Sequence, residues 1–317
     1  LKEGLCQDYE LQTQLSKLLR FESSRDSDDA EDKMTSLDEY IARMRPEQKD
    51  IYYIVAPTIA AAMNSPYLEA FERAGVEVLL LFSAIDDFVM ANLEKYEDRK
   101  LTSVEKSDID LSELKTSGDD EESKSGGDDL YKADRKLTAA EALELCNWFK
   151  SALGDQKVGS CIVTERLTSS PAIVTDNESG TMRRMMRMVD TGEGSRDDIP
   201  LPKQKVEINP KHPVIVGMFD LIQTEPALAR VVAEQVYDNC LVAAGLLDDS
   251  RSMLPRLNDI LVALVNGAKQ STSASESAGA SKPIEGVPEA TFGDTDVGSK
   301  SDDAISEAEI KAEEVSP

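Results

Sequence analysis

The chain has 317 residues, of which 61 are acidic and 35 are basic, for a formal net charge of −26. This charge repels the phosphates of nucleic acids and the surfaces of anionic membranes, so we expect neither as a partner. No stretch approaches the roughly 18 consecutive apolar residues of a membrane-spanning helix, and the length is enough for two ordinary domains.

Two stretches lack the apolar pattern of a folded segment. Residues 107–136 contain the run GDDEESKSGGDD, and residues 268–317 are rich in Ser, Ala, Gly, Glu and Asp. Segments of this composition bury too little apolar surface to offset the loss of chain entropy on folding. We therefore predict a flexible acidic linker at 107–136 and a disordered acidic tail at 268–317. The two folded parts are then 1–106 and 137–267.

The first folded part alternates between helix and strand patterns. Ser36 and Glu39 have the spacing of a capping box, and Gly75 stands where a helix C-cap is expected. The runs IYYIVA and VEVLLLF are continuously apolar, which is typical of strands buried on both faces of a parallel βαβ unit. The predicted elements are a helix at 36–44, a strand at 51–56, a helical segment at 58–74 broken at Asn64-Ser65-Pro66, a strand at 76–82, a helix at 86–96 and a strand at 100–104.

The second folded part begins with a capping box, formed by Thr138 and Glu141, and closes with two amphipathic helices. The predicted elements are a helix at 138–153, strands at 158–167 and 172–175, a short helix at 182–189, a helix at 214–223 and closing helices at 226–244 and 253–265. The fold class is mixed α/β (α+β). A small αβα subdomain precedes an α/β domain that ends in a helical hairpin.

Catalytic and metal-binding patterns are weak throughout. The single histidine, His212, lies between Lys211 and Pro213 and is interpreted as structural or exposed on the surface. Neither apolar strand is followed by a glycine-rich phosphate loop. We predict no catalytic residue and no metal site. The cysteines are isolated and are interpreted as reduced interior thiols: Cys6, Cys146, Cys161 and Cys240.

The spacing in the stretch TMRRMMRM predicts a short amphipathic helix in an otherwise acidic chain. Methionines 182, 185 and 186 share one face and the arginines share the other. A methionine stripe at helical spacing is more often core than binding surface. Methionine nevertheless specifies core shape poorly and recurs on surfaces that fit many partners. A membrane-bound or calmodulin-binding helix is disfavoured by the short length of the segment and the acidity of the chain.

The closing helices raise a second open question. Two adjacent amphipathic helices with a short connection form an antiparallel hairpin, and the hairpin cannot cover both of its own apolar faces. Either the preceding sheet or a second copy of the chain must cover them. The pattern alone leaves these two possibilities equal.

The chain resembles the heat-shock protein 90 chaperone family over residues 1–267. The resemblance is carried by the ordered motifs KLLRFESS, TSLDEYIARM, KDIYYIVAP, SPYLEAFERAGVEVLLL, IDDFVMANL, RLTSSPAIV, VEINPKHP and EQVYDNCLVAAGLLDD. The segment that starts at TEPALARVV is most similar to the mitochondrial tumour-necrosis-factor-receptor-associated branch, and next to the bacterial HtpG branch. The resemblance implies that 1–106 is the end of the family's middle domain and that 137–267 is its C-terminal dimerisation domain.

The resemblance also implies two kinds of contact residue. Client proteins that are unfolded or partly folded are expected to bind at Phe88, Met182, Met185 and Met186. A homodimer is expected to form through the closing helices, at Leu228, Val231, Val232, Gln235, Val236, Leu254, Leu257, Ile260, Leu261 and Leu264. The alternative function is an assembly-only dimerisation module that binds no client. An α/β enzyme with an unrecognised site is a more distant alternative.

Other implications concern what the chain does not carry. The family's ATP-binding domain and its phosphate-contacting arginine have no counterpart here, so we expect the chain to be a fragment that holds neither ATP nor Mg²⁺ and does not hydrolyse ATP alone. Cytosolic relatives end in MEEVD whereas this chain ends in AEEVSP, so tetratricopeptide co-chaperones are not expected as partners. We expect a role in protein folding and the stress response in the mitochondrial matrix, with plastid or cytoplasm as alternatives.

Overall fold

The computed structural model describes residues 1–8, 10–25, 34–111, 114, 135–177, 183, 201–247 and 249–278. Residues 1–266 form one compact unit. Residues 267–317 form the other, of which only the helical backbone up to residue 278 is described. Among the described residues, no helix combines the length and the apolar character needed to cross a bilayer.

Six strands in the first part of the described chain form one mixed sheet, in the order β2-β1-β4-β3-β6-β5. The central strand β3 pairs in parallel with β4 on one side and with β6 on the other. The pairs β1–β2, β1–β4 and β5–β6 are antiparallel. The strands are β1 (Phe21–Ser23), β2 (Met34–Thr35), β3 (Ile51–Val55), β4 (Leu79–Leu81), β5 (Lys95–Tyr96) and β6 (Arg99–Ser103).

The three helices within residues 37–74 begin and end close to the predicted signals, whereas the two short helices before residue 17 are not among the predicted elements. Ser36 and Glu39 form the predicted capping box. The predicted break at Asn64-Ser65-Pro66 is confirmed, because a 3₁₀ turn (Pro66–Leu68) separates two helices there, and Gly75 caps the second helix with φ of 60°. The helices are α1 (Lys2–Gln7), α2 (Gln12–Ser16), α3 (Leu37–Arg43), α4 (Ile59–Met63), α5 (Glu69–Ala74) and α6 (Ala84–Leu93).

The central strands are buried on both faces, as predicted. Tyr52, Ile54 and Leu80 point into one core with α4 and α5. Ile51, Tyr53, Leu79 and Leu81 alternate with them and point into a second core with α3 and α6. The period of two along the strands therefore separates two apolar layers, which gives the αβα arrangement.

The second part of the chain has a smaller sheet in the order β7-β9-β8, in which β9 is parallel to β7 and antiparallel to β8. Its strands are β7 (Val158–Val163), β8 (Ala172–Thr175) and β9 (Gln204–Ile208). Its helices are α7 (Ala139–Leu153), α8 (Pro213–Thr224), α9 (Pro226–Ala243) and α10 (Leu254–Ala278), with a 3₁₀ turn (Ser250–Met253) before α10. The capping box of α7 is confirmed.

Several elements differ from the sequence prediction. Strand β4 begins at Leu79 instead of residue 76, and β7 ends at Val163 instead of residue 167. Helix α6 stops at Leu93 because Glu94 has φ of 51°, and the next residues pair as β5 instead of continuing the helix. Strand β9 is absent from the predicted elements because its buried Gln204 and Glu207 look like surface residues in the sequence. Helix α10 runs on to Ala278, past the predicted start of the tail at 268.

Polar contacts and shared core join the two parts. Arg166 donates to the backbone oxygens of Val104 and Lys106, both at 2.7 Å. Leu111 and Leu114 are buried in the same apolar cluster as Leu137. The predicted linker lies otherwise largely outside the described residues, and the division into domains stays a prediction.

Candidate functional site

Phe88 lies on α6, which the second apolar core holds against the central sheet. Ser83 caps this helix, and its backbone N–H donates to the Asp86 carboxylate at 3.3 Å. The same carboxylate forms an ion pair with Lys2 of α1. Val89 is fully buried, whereas the neighbouring Phe88 is only half-buried. A well-anchored helix therefore presents part of an aromatic ring to solvent at the predicted client position.

The helix predicted at 182–189 lies outside the described residues, except for Arg183, which is buried. The three methionines predicted as client contacts therefore have no described position. Their assignment to core or to binding surface stays a prediction.

Helix α10 exposes most of its predicted interface residues to solvent. Leu254, Leu257, Leu261 and Leu264 are exposed, and Ile260 is half-buried. Among these, Leu261 is 58% and Leu264 is 65% exposed, which is far above the usual value for leucine in a folded core. The chain's own sheet does not cover this face of the helix.

The predicted interface residues on α9 have a different environment. Leu228, Val231 and Val232 are half-buried. Gln235 and Val236 are buried within the chain itself, and Val236 belongs to the main apolar core. The two helices therefore differ, because α9 packs on its own chain whereas α10 leaves its apolar face open.

A polar cluster fixes the base of α10 against α9. The Arg256 guanidinium donates to Gln235 Oε1 at 3.1 Å and to Glu234 Oε2 at 3.4 Å, and it also pairs with Asp238. Gln235 in turn donates to Asn239 at 2.8 Å. Met253 is buried just before the helix starts. These contacts set the direction in which the exposed leucines point.

The exposed stripe is longer than the predicted set of interface residues. Val262 and Val265 of α10 are also exposed, as is Val242 of α9. Val265 stands four residues after Leu261, so helical spacing alone predicts that it lies on the same face of the helix. Val262 stands three residues before Val265, and it widens the apolar surface around the helix.

His212 has the structural role that the sequence favours. It is buried and caps α8, since its Nδ1 accepts from the Val214 backbone N–H at 3.1 Å, and its Nε2 lies 3.1 Å from the Ser169 backbone oxygen. Burial lowers the pKa of His212, so the neutral ring is favoured. In the part of the chain that the structure describes, no group of three His, Cys, Asp or Glu side chains is placed to hold a metal ion.

Known proteins resemble this chain along most of its length. The model of the family described as Hsp90 protein matches residues 1–288. The chain is 37% identical over 264 residues to the mitochondrial TNF receptor-associated protein 1 homolog of Dictyostelium discoideum, a match that covers 83% of this chain and 35% of that protein.

Two further relatives show the same coverage. The chaperone protein HtpG of Nitrosomonas europaea is 38% identical over 266 residues, covering 83% of this chain and 38% of the relative. The mitochondrial heat shock protein 75 kDa of Rattus norvegicus is 35% identical over 264 residues, covering 83% of this chain and 36% of the relative. The chain thus spans little more than a third of the length of these relatives.

Proposed function

Because the chain belongs to the Hsp90 protein family of chaperones, we propose that it is the C-terminal part of an ATP-dependent chaperone that binds unfolded or partly folded clients as a homodimer. The observation that carries the proposal is the open apolar face of α10 on a chain of this family. ATP and Mg²⁺ are then bound by other parts of the longer protein. Hydrolysis by this chain alone is not expected.

Dimerisation is supported by the exposure of this apolar face. Leucines and valines at spacings of three and four residues form a stripe along α10, and most of them are open to solvent. An apolar stripe that faces solvent does not stabilise a monomer, whereas two copies related by a twofold axis bury the stripe against each other. The Arg256 cluster keeps the stripe in a fixed direction, which reduces the entropy lost on pairing.

Client binding is supported by the family and by Phe88. A half-buried aromatic ring on an anchored helix offers apolar contact area at little cost in side-chain entropy. The methionines at 182, 185 and 186 add an adaptable surface if their stripe faces outward. Pairing brings two such surfaces close together, so a client chain that binds one meets the second at high effective concentration.

The proposed location is the mitochondrial matrix. Two of the relatives carry mitochondrial names, and the free cysteines of the described chain suit a reducing compartment. Imaging of the tagged full-length protein in its own cells tests this location directly.

A client-protection assay tests the proposed function. We expect the chain to lower light scattering by a heat-destabilised model enzyme, and joint substitution Met182→Ser, Met185→Ser and Met186→Ser to weaken that protection without lowering the melting temperature. Phe88→Ser is expected to act in the same direction. The matched control replaces two exposed methionines elsewhere, Met34→Ser and Met63→Ser, and should leave protection unchanged.

The outcomes separate the candidate functions. If the triple variant loses its fold, the three methionines belong to the core and not to the client-binding surface. A wild-type chain that pairs but gives no protection supports the assembly-only module.

A further inference from the structure

An open cleft of about 790 Å³ lies where the parallel strands of the large sheet end. Its walls come from the residues that follow β3 and β4, from Glu105 after β6, from the segment between α4 and the 3₁₀ turn, and from the C-terminal end of α9. The volume is within the range of small-molecule sites. The predicted function makes no use of this cleft.

The topology makes this position a natural ligand site. From β3 the chain crosses to β4 on one side, and from β4 it returns past β3 to β6 on the other side. Parallel crossovers are right-handed, so connections that run in opposite directions place their helices on opposite faces of the sheet. The two loops diverge at the carboxyl ends of β3 and β4 and leave a crevice, which is where open α/β sheets bind ligands.

The walls are mostly apolar, with a few polar groups. Phe82 and Val242 are among the apolar residues that line the cleft. Ser65 also lines it, and its Oγ is buried without a hydrogen-bond partner among the described residues. A buried hydroxyl of this kind costs folding free energy unless a ligand or a water molecule completes it. Glu105, in the turn after β6, adds a carboxyl group to the lining.

Glu105 has an unusual environment for a carboxyl group. Burial raises its pKa to about 8, and the negative charge of Asp87 on α6 acts in the same direction, while Lys106 opposes them. Besides burial, the negative charge of an ionised Glu105 also raises the pKa of Tyr53 on β3 and of Tyr67 in the 3₁₀ turn, and the Tyr67 hydroxyl donates to the Val174 backbone oxygen. Two cations lie near this carboxyl group: Lys106, and Arg166, which donates to the backbone oxygens of Val104 and Lys106 on either side of Glu105. The pKa of Glu105 stays raised beside them, and a positively charged ligand in direct contact would favour the ionised carboxylate.

We propose that the cleft binds a small organic amine, whose ammonium group pairs with the Glu105 carboxylate and donates to Ser65 Oγ while its apolar body packs against Phe82 and Val242. An anionic ligand is disfavoured, because the negative charge of Asp87 would repel it even while Glu105 is protonated. A neutral ligand would accept a hydrogen bond from protonated Glu105 but would gain nothing from the second carboxyl group. The charge therefore distinguishes an amine from an uncharged molecule of the same shape.

Three molecules with the same cage test the proposal: 1-adamantylamine, 1-adamantanol and 1-adamantanecarboxylate, titrated into the full chain by calorimetry. We expect the amine to bind at least about tenfold more tightly than the alcohol, which is the usual gain from a charge-assisted hydrogen bond. The carboxylate should not bind measurably. Equal affinity for amine and alcohol would overturn the proposal.

Proton release provides a second readout that needs no variant. At pH 7 a carboxyl group with a pKa near 8 is protonated in about 0.9 of the molecules, and pairing with an ammonium group ionises it. Titration in two buffers of different ionisation enthalpy should therefore show release of about 0.9 proton per bound amine. Binding without proton release would contradict the pairing with Glu105.

Matched variants locate the site. Glu105→Gln should weaken amine binding at least about tenfold and abolish proton release. Glu47→Gln removes an exposed carboxylate outside the cleft and should change neither quantity. If Glu105→Gln binds the amine as wild type does, the site is elsewhere and the proposal fails, whatever the outcome of the client assays.

Discussion

Replacing two exposed leucines of α10 by serine, in the double variant Leu261→Ser and Leu264→Ser, tests pairing through the exposed stripe. Complete burial of a leucine side chain stabilises by about 1.5–3 kcal/mol. Since Leu261 is 58% and Leu264 is 65% exposed in the single chain, burial of the remaining surface contributes about 1–2 kcal/mol for each side chain.

Each residue occurs twice in a twofold interface, once in each protomer. The double variant therefore removes four leucine side chains from the interface. The loss is roughly 4–8 kcal/mol, which raises the Kd of the dimer by about a thousandfold or more. The monomer itself should keep its stability, because both side chains already face solvent in it. Sedimentation equilibrium over a range from nanomolar to micromolar concentrations measures the Kd, and urea denaturation measures the stability of the monomer.

Leu143→Ser is the matched control. Leu143 lies on α7, outside the stripe, and is 63% exposed, so the change in chemistry and exposure is the same. We expect its Kd to equal that of wild type. Pairing through α10 is refuted if wild type sediments as single chains throughout the range, or if Leu143→Ser raises the Kd as much as the double variant does.

Four substitutions test the stability of the described chain. Arg166→Met removes two hydrogen bonds to backbone oxygens and leaves the buried Glu207 without its nearby cation, so urea denaturation should show a loss of about 2–4 kcal/mol. Because the folded state holds the Glu105 proton more tightly than the unfolded chain, the free energy of unfolding contributed by this group falls as the pH rises from about 4.5 to about 8. The free energy of unfolding of Glu105→Gln, relative to that of wild type, should therefore rise between pH 5.5 and pH 8 by up to about 1.4 kcal/mol per pH unit. A difference that stays constant over this pH range would contradict the raised pKa. Gly75→Ala should destabilise by about 1 kcal/mol because φ is 60° there, whereas Gly217→Ala inside α8 should stabilise by up to about 1 kcal/mol in the same assay.

Local signals in the sequence are sufficient for most helices and strands. The capping boxes at Ser36 and Thr138 and the glycine at Gly75 act through neighbouring residues, so their effect does not depend on the rest of the fold. The βαβ unit is predictable for a related reason. Its strands are apolar on both faces, which only a sheet covered on two sides can satisfy.

Features that depend on distant partners are not predictable in this way. Glu207 is an acidic residue buried in β9, and its partners in space make that burial tolerable. It accepts from Thr175 Oγ1 at 3.1 Å on the neighbouring strand. The cleft beside Glu105 has the same origin, since segments from both folded parts form its walls. In the sequence, Glu105 is a single polar residue after a strand, and nothing next to it indicates that distant segments meet there.

Helix α9 shows why pattern alone left the closing hairpin undecided. One face of the helix packs into the core through Ala233, Val236 and Tyr237. A second face holds Arg256 of α10 through Glu234 and its neighbours, and the C-terminal end of α9 forms a wall of the cleft. Because these three environments lie around one helix, its apolar residues do not form one stripe with one partner. In α10 nearly all described side chains after Met253 are open to solvent, so its stripe packs on no other described part of the chain, and the cover proposed for it is a second copy.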